Sequence, residues 1–353
     1  MPTTARSRLV FRLLEDGITD PFHHFAVEEA LLRGVDQGTS PNTLRLRRSV
    51  PSVWIGVYQE AMEDVDVDHC RRHGIPIVRR YNPGGAVYQD EGSFCFSLFF
   101  RQVPFFEHLG IAEPLELYPL VAEAVALTCA DYGQKVSFSP TNDCTIAGRK
   151  VYGSAQVKWG EAFVHSGTFL VATDCAVMDR VLRPSRLKFA DKGFNSVRER
   201  VITLSEAVGR PIPVQEVMHK LARHLARQLR LELEPGELLA GEQAVSQGLL
   251  ENKYSRAEWT FPTRPTYRSV LSTKAQSGVV TLAADLQDGL LRAVEVRGDF
   301  LAPDQAELAC LLASIRGLSP TAAVTPVAES QLPADVREAL VRLLKELAAG
   351  DAG

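Results

Sequence analysis

The sequence predicts an α+β fold built as two units, a larger N-terminal one and a small C-terminal one. Three observations carry that expectation. At 353 residues the chain is long enough for two domains, since one domain usually takes roughly 100–200 residues. Short apolar runs joined by glycine turns sit beside two long amphipathic patterns, so strands and helices share the larger unit. Between residues 233 and 265 the pattern loosens, with Pro235-Gly236, Gly241, Gly248, Pro262 and Pro265. That stretch divides the chain into 1–250 and 251–353.

Each element follows from local chemistry. Asp20-Pro21 reads as a helix start, a capping carboxylate followed by a ring whose fixed φ suits the first turn. The helix continues through Phe25, Glu28, Glu29 and Leu32 and stops near Gly34. Segments 43–47, 53–58 and 75–80 are rich in aliphatic, β-branched or aromatic residues and read as strands, with a short helix over 64–73 closed by Gly74. Residues 94–100 are apolar nearly throughout, the pattern of a central strand buried on both faces. Over 113–132, Leu117, Leu120, Val121, Ala124 and Leu127 form one helical stripe and Gly133 the stop. Strands at 143–146, 150–158 and 162–172 follow, punctuated by hairpin turns at Gly148 and Gly160. Val217, Leu221, Leu225 and Leu229 then repeat every four residues in a helix over 214–230. Beyond the boundary, 278–286 and 290–297 make a hairpin about Asp288-Gly289, and helices are expected at 305–316 and 333–347. No catalytic-looking cluster stands out in that smaller unit.

Composition excludes several classes. Lys+Arg number 39 against 43 Asp+Glu, a net charge of −4, whereas a general nucleic-acid binder carries a basic excess. No nucleic-acid partner is expected. No run approaches the ~18 apolar residues of a membrane-spanning helix, so no membrane partner is expected either. The start of the chain lacks an apolar stretch of signal-peptide length, and a cytoplasmic location is the expectation. Six cysteines, at 70, 95, 129, 144, 175 and 310, form no CxxC pair and read as reduced, mostly buried thiols. His69 and His73 share a helix face without an acidic partner motif and read as solvated.

Three segments carry chemistry. The first runs from Arg79 to Tyr88, RRYNPGGAVY. A strand delivers two arginines, which alternate sides, so at most one faces a common site. Pro83-Gly84 has the residues of a type II turn, and Gly84 and Gly85 allow backbone to approach an anion closely. A plain tight turn with surface arginines fits this segment equally well. The second runs from Asn142 to Gln156, where a turn at Gly148 leads into a strand that begins with Lys150 and then becomes small at Gly153, Ser154 and Ala155. Small strand residues leave room for a ligand, and Lys150 beside that room suits a phosphate or an oxyanion; alone, a strand-end lysine is usually just solvated. The third, 180–200, holds seven basic residues against two acidic, which suits a phosphate-bearing ligand or, as readily, a solvated face.

Together, RRxxxGGAVYxD, then ND…GRKVxGSAQ…HxGT, then K…KGxxSVRxRV, in that order and spacing, resemble lipoate–protein ligase A. The resemblance begins at Thr19-Asp20-Pro21 and runs through Trp259-Thr260-Phe261, most of the chain. It implies a catalytic domain with the biotin/lipoyl-ligase fold related to class II aminoacyl-tRNA synthetase cores over 1–250, and a small α+β accessory domain over 251–353. It implies the synthesis of lipoyl-AMP from lipoate and MgATP, then transfer of the acyl group to one lysine of a lipoyl domain of a 2-oxoacid dehydrogenase complex or of the glycine cleavage H protein. By the same resemblance Lys150 is the catalytic residue and touches both acyl carboxyl and nucleotide. Arg80 holds ATP phosphate, and Gly85, Ala86, Val87 and Tyr88 line the nucleotide. Asn82, Gly84, Gly153, Ser154 and His165 bind lipoate, Asp143 positions Mg²⁺, and 180–200 closes over the adenylate. The sequence departs from the pattern at Asn82-Pro83, where the family has a small hydroxyl residue and glycine, and at Ser166, where it has a second histidine. These changes bear on the choice between lipoate and octanoate.

Two other readings are open to the sequence. A related octanoyltransferase moves an acyl chain from acyl carrier protein without ATP, in some members through a cysteine, and Cys144 lies near the right segment. A non-catalytic protein that binds lipoyl-adenylate or lipoyl domains is the reading from another class, with Asn82-Pro83 as its support.

Overall fold

The computed structural model describes residues 8–139, 142–184, 196–302 and 304–350. An eight-stranded sheet forms the larger unit. Its strands are β1 (Leu9–Thr19), β2 (Thr43–Ser49), β6 (Ser93–Arg101), β7 (Ser137–Ser139), β8 (Asp143–Ile146), β9 (Arg149–Trp159), β10 (Ala162–Leu170) and β11 (Leu231–Pro235), in the order β11-β1-β2-β6-β10-β9-β8-β7. β1 pairs in parallel with β2 and β11, and the remaining pairs are antiparallel. β6 is buried at every position but Arg101, as a mid-sheet strand covered on both faces must be. The β8–β9 hairpin turns where the sequence placed it, with Ala147 and Gly148 at φ 49° and 79°, the paired positive values of a type I′ turn.

Each face has its own cover. Helices Leu117–Ala130 and Val214–Gln228 pack on one face, over Leu44, Phe96, Phe100, Tyr152 and Phe163. The other face carries helix Pro21–Asp36 over Phe99, Val157 and Val164. Asp20 caps that helix, accepting from the N–H groups of Phe22 and His23, both at 3.0 Å. A small sheet of β3 (Ser52–Ile55), β4 (Ile77–Arg79) and β5 (Val87–Gln89), ordered β4-β3-β5, sits beside the same helix.

The C-terminal unit has a core of its own. β12 (Ser269–Lys274), β13 (Val279–Gln287) and β14 (Leu290–Gly298) form an antiparallel sheet. Helices Gln305–Ile315, Pro320–Glu329 and Ala334–Gly350 cover it, with Val280, Leu282, Val294, Leu308, Leu340 and Leu344 inside. Residues 240–260 remain with the first unit. Tyr254 donates to Glu29 Oε2 at 2.6 Å and the Trp259 indole to the Arg79 carbonyl at 2.7 Å. The expected division after residue 250 thus falls inside a helical stretch packed on helix Pro21–Asp36. No helix among the described residues is long and apolar enough to cross a membrane.

Candidate functional site

The two adjacent arginines part company at the end of β4. Arg79 turns away from the cavity and binds backbone, donating to the carbonyls of Gln59 (2.6 Å), Thr260 (2.9 Å) and Trp259 (3.0 Å). Arg80 turns inward and lies under the glycine loop. Its guanidinium donates to the carbonyls of Gly85 (2.9 Å), Pro83 (3.0 Å) and Trp54 (3.1 Å). Burial lowers its pKa to about 10, still a full cation at neutral pH. Gly84 has φ +97°, the positive value that the third position of a type II turn demands. Its carbonyl presses on Gly56, where a Cβ would collide with Gly84 O. Two backbones meet there with nothing between them.

Across the cavity, β9 carries a bulge. Cys144 pairs with Tyr152 and Thr145 with Lys150, so Val151 has no partner on β8. In a regular strand, residues three apart face opposite sides. The extra residue brings Lys150 and Gly153 onto the same, cavity-lining side. Gly153 has to be glycine, because a Cβ there would strike Nζ and Cε of Lys150. The lysine thus lies over the bare strand. Its Nζ is 2.6 Å from Asp143 Oδ1, and Arg200 reaches Asp143 Oδ2 at 3.2 Å. The lysine backbone is fixed as well, since Ile202 N–H donates to its carbonyl at 2.9 Å.

The floor between these walls is a row of directly paired residues. Gly153 pairs with Thr168, Thr168 with Cys95 and Cys95 with Arg47. Three strand spacings make the row roughly 14 Å long. Above it lies a cavity of about 270 Å³ lined by both walls and by Trp54, Ser166 and Arg200. The C-terminal unit closes it with Lys274–Val279, Asp299 and Leu301. That unit is tethered by Gln305, which donates to the Tyr81 carbonyl, and by Lys158–Asp304 at 3.3 Å.

Most residues singled out from the sequence converge here. Lys150, Arg80, Asn82, Gly84, Gly85, Ala86, Val87, Tyr88, Asp143, Gly153 and Ser154 all line the cavity. Two do less than expected. Arg80 spends its guanidinium on loop carbonyls, and Ser154 spends its hydroxyl on the Asn142 carbonyl at 3.2 Å. His165 does not reach the cavity. It alternates with Ser166 and points to the opposite sheet face, fully buried near Phe96, Tyr118 and Gln156. Burial holds its pKa down at about 3, so it is neutral there.

Asp143 is flanked by two cations, and no group of three His, Cys, Asp or Glu suited to a metal occurs among the described residues. Mg²⁺ usually keeps several waters and binds through one or two carboxylates together with substrate phosphates, so Asp143 is the residue that would hold it beside a bound nucleotide. Of the basic stretch, Arg183 pairs with Asp66 (2.7 Å) and Arg198 with Glu206 (3.1 Å); residues 185–195 lie outside the described residues. Sequence reasoning missed Arg47, Trp54, Thr168 and the 274–279 segment. Arg47 had a signal, an arginine in a strand-like run two residues from Arg45, on one face with it.

Comparisons with known proteins agree with this geometry. A family model described as the lipoyl protein ligase A/B catalytic domain matches residues 20–226. Lipoate-protein ligase A subunit 1 of Thermoplasma acidophilum is 31% identical over 246 residues, covering 67% of this chain and 90% of that protein. Octanoyltransferase LipM of Brevibacillus brevis is 25% identical over 266 residues, covering 68% of this chain and 95% of that protein. A solved lipoate-protein ligase A bound with ATP superposes with a TM-score of 0.62 and 26% identity, over 72% of this chain and 99% of that one. With the glycine loop, the bulged lysine strand and the matched sequence in one place, the chain belongs to the lipoyl protein ligase A/B catalytic-domain family.

Proposed function

We propose that this protein is an ATP-dependent lipoate–protein ligase: it joins lipoate to the α-phosphate of ATP, releasing pyrophosphate, and passes the acyl group to a lysine of a lipoyl carrier domain, releasing AMP. The placement of Lys150 carries the reading. Its ammonium stands at the rim of an enclosed cavity, over a glycine, beside a carboxylate that orients it. A cation held so stabilises charge as it develops. The acyl carboxylate sits against Lys150 while it attacks the α-phosphorus, and the same ammonium then faces the carbonyl oxygen when the carrier lysine attacks. The turn at Gly84-Gly85, braced from below by Arg80, presents backbone to the nucleotide. The acyl chain lies along the Gly153–Thr168–Cys95 row. The accessory unit that follows residue 260 helps enclose the adenylate against the catalytic unit and shields it from water.

The cysteine chemistry of the transferase reading has less support. Cys144 is fully buried in the core, and burial pushes its thiol up to about 12. Cys95, on the cavity floor, is also pushed up by burial. Neither is poised as the thiolate that an acyl-enzyme requires.

The test is mass spectrometry of a lipoyl domain incubated with the protein and lipoate, with and without MgATP. A lipoyl mass increment that appears only with ATP is the expected result. An increment from octanoyl carrier protein without ATP would move the protein to the transferases, and binding of lipoyl-AMP with no transfer would leave a sensor.

A further inference from the structure

The roof of the cavity belongs to a different unit from its floor. Residues 275–278 connect β12 to β13, and hydrogen bonds within the C-terminal unit fix their course. Ala275 N–H donates to the Gly278 carbonyl (2.8 Å), Ser277 N–H to Asp335 Oδ2 (2.8 Å) and Leu301 N–H to Ser277 Oγ (3.3 Å). Leu301 in turn lies against the glycine loop, where a Cβ on Gly84 would stand 3.4 Å from Leu301 Cδ2. The connection is therefore a braced piece seated over Gly84. It begins at Lys274, which lines the cavity.

Among the described residues five cations line this space, Arg47, Arg80, Lys150, Arg200 and Lys274, against the carboxylates of Asp64, Asp143 and Asp299. Four of the cations have posts on the catalytic unit. Arg47 meets Glu28 at 3.2 Å, Arg80 holds three loop carbonyls, and Lys150 and Arg200 share Asp143. Lys274 is the one that the accessory unit brings. Adenylation has a use for it. As the carboxylate oxygen bonds to the α-phosphorus, the bond from that phosphorus to the bridging oxygen breaks in line, and pyrophosphate leaves with the electron pair. The carboxylate comes along the floor, so the leaving group departs toward the roof. Lys150 lies over Gly153, at the head of the floor, and attends to the α-phosphate. Charge that gathers on the two departing phosphates needs a second cation on the roof side.

We infer that Lys274 is a nucleotide-binding residue supplied by the accessory unit. Its ammonium meets the β- and γ-phosphates of ATP and stabilises pyrophosphate as it leaves, while Leu301 and the 275–278 connection hold it over the glycine loop. The inference rests on the ligase reading above and adds to it a residue from outside the catalytic unit.

The two half-reactions of the full chain test it separately. Lys274→Met keeps the length of the side chain and removes its charge. It should lower lipoate-dependent exchange of pyrophosphate into ATP roughly 30-fold, the worth of one hydrogen bond to a charged group, and raise the KM for pyrophosphate. Transfer from pre-formed lipoyl-AMP to a lipoyl domain involves no pyrophosphate, and its rate should fall by less than about twofold. Lys274→Arg, which keeps a cation, should recover most of the exchange. Unchanged exchange in Lys274→Met, or equal losses in the two half-reactions, overturns the inference while leaving the ligase reading intact: the lysine would then be idle, or would only hold the accessory unit in place. An unaltered chain that shows no lipoate-dependent exchange overturns the ligase reading itself, and the inference with it.

Discussion

Two of the cations that line the cavity, Arg80 and Lys150, are held in opposite ways. Arg80 is buried and answered by three backbone carbonyls, partners that cannot move without unmaking the loop. Lys150 keeps 28% of its side chain exposed and is answered by carboxylate Asp143, a partner that a substrate anion can replace. On the reading proposed above, charge alone does not mark the catalytic residue, and the exchangeability of its partner does: Arg80 shapes the site, and Lys150 serves the chemistry.

The comparison breaks first at Lys150. Lys150→Ala should lower lipoate-dependent exchange of pyrophosphate into ATP by roughly 10³-fold, the scale of losing one oriented charge-stabilising group. Its urea midpoint should correspond to less than about 1 kcal/mol of lost stability, because a partly exposed ion pair contributes little. Near-normal exchange in that variant would remove Lys150 from the chemistry. Arg80→Met should show the reverse emphasis. Orphaning the loop carbonyls should cost roughly 3 kcal/mol in urea unfolding, and a variant as stable as the parent would show that the loop holds itself.

Gly153→Ala sharpens the same contrast without touching either charge. The new Cβ would displace the end of Lys150, so kcat should drop roughly tenfold with KM little changed, a shift of about 1.4 kcal/mol. An unaffected kcat would mean that the position of the lysine over the strand is not the active one.

The smallest effect concerns His165. The unfolded chain takes up its proton near 6.5, whereas the folded chain resists until about 3. Stability contributed by this group is therefore complete well above pH 6.5 and falls as pH drops through that window, by about 0.8 kcal/mol at pH 6. His165→Gln should flatten the stability–pH profile between these values, and an unchanged slope would place the acid sensitivity elsewhere, His24 being the next candidate.

Local signals carried much of this architecture, and long-range pairing hid the rest. The Asp20 cap, the apolar run of β6 and the two turns at Ala147-Gly148 and Asp288-Gly289 are written in neighbouring residues, and they stand where the sequence put them. β11 was unreadable because Leu231–Pro235 ends in proline inside a glycine- and proline-rich stretch, and its partner β1 lies more than two hundred residues earlier. Helix Pro320–Glu329 contains Pro326, which argued against a helix there. In the site, Lys150 and the glycines announced themselves, whereas His165 misled, because a motif does not say which sheet face each member takes. The bulge at Val151 and the closing segment from the C-terminal unit exist only in three dimensions.

With the acyl chain along it as proposed, the paired row from Gly153 to Arg47 has a consequence for how substrate length is inherited. Its span is set by backbone hydrogen bonding between four strands, not by the sizes of side chains. Core residues on the opposite face can drift without altering it, so the floor acts as a length standard that mutation cannot stretch gradually. Selectivity over chain length changes only in steps, by exchanging the residue that ends the row or by filling one of its small positions.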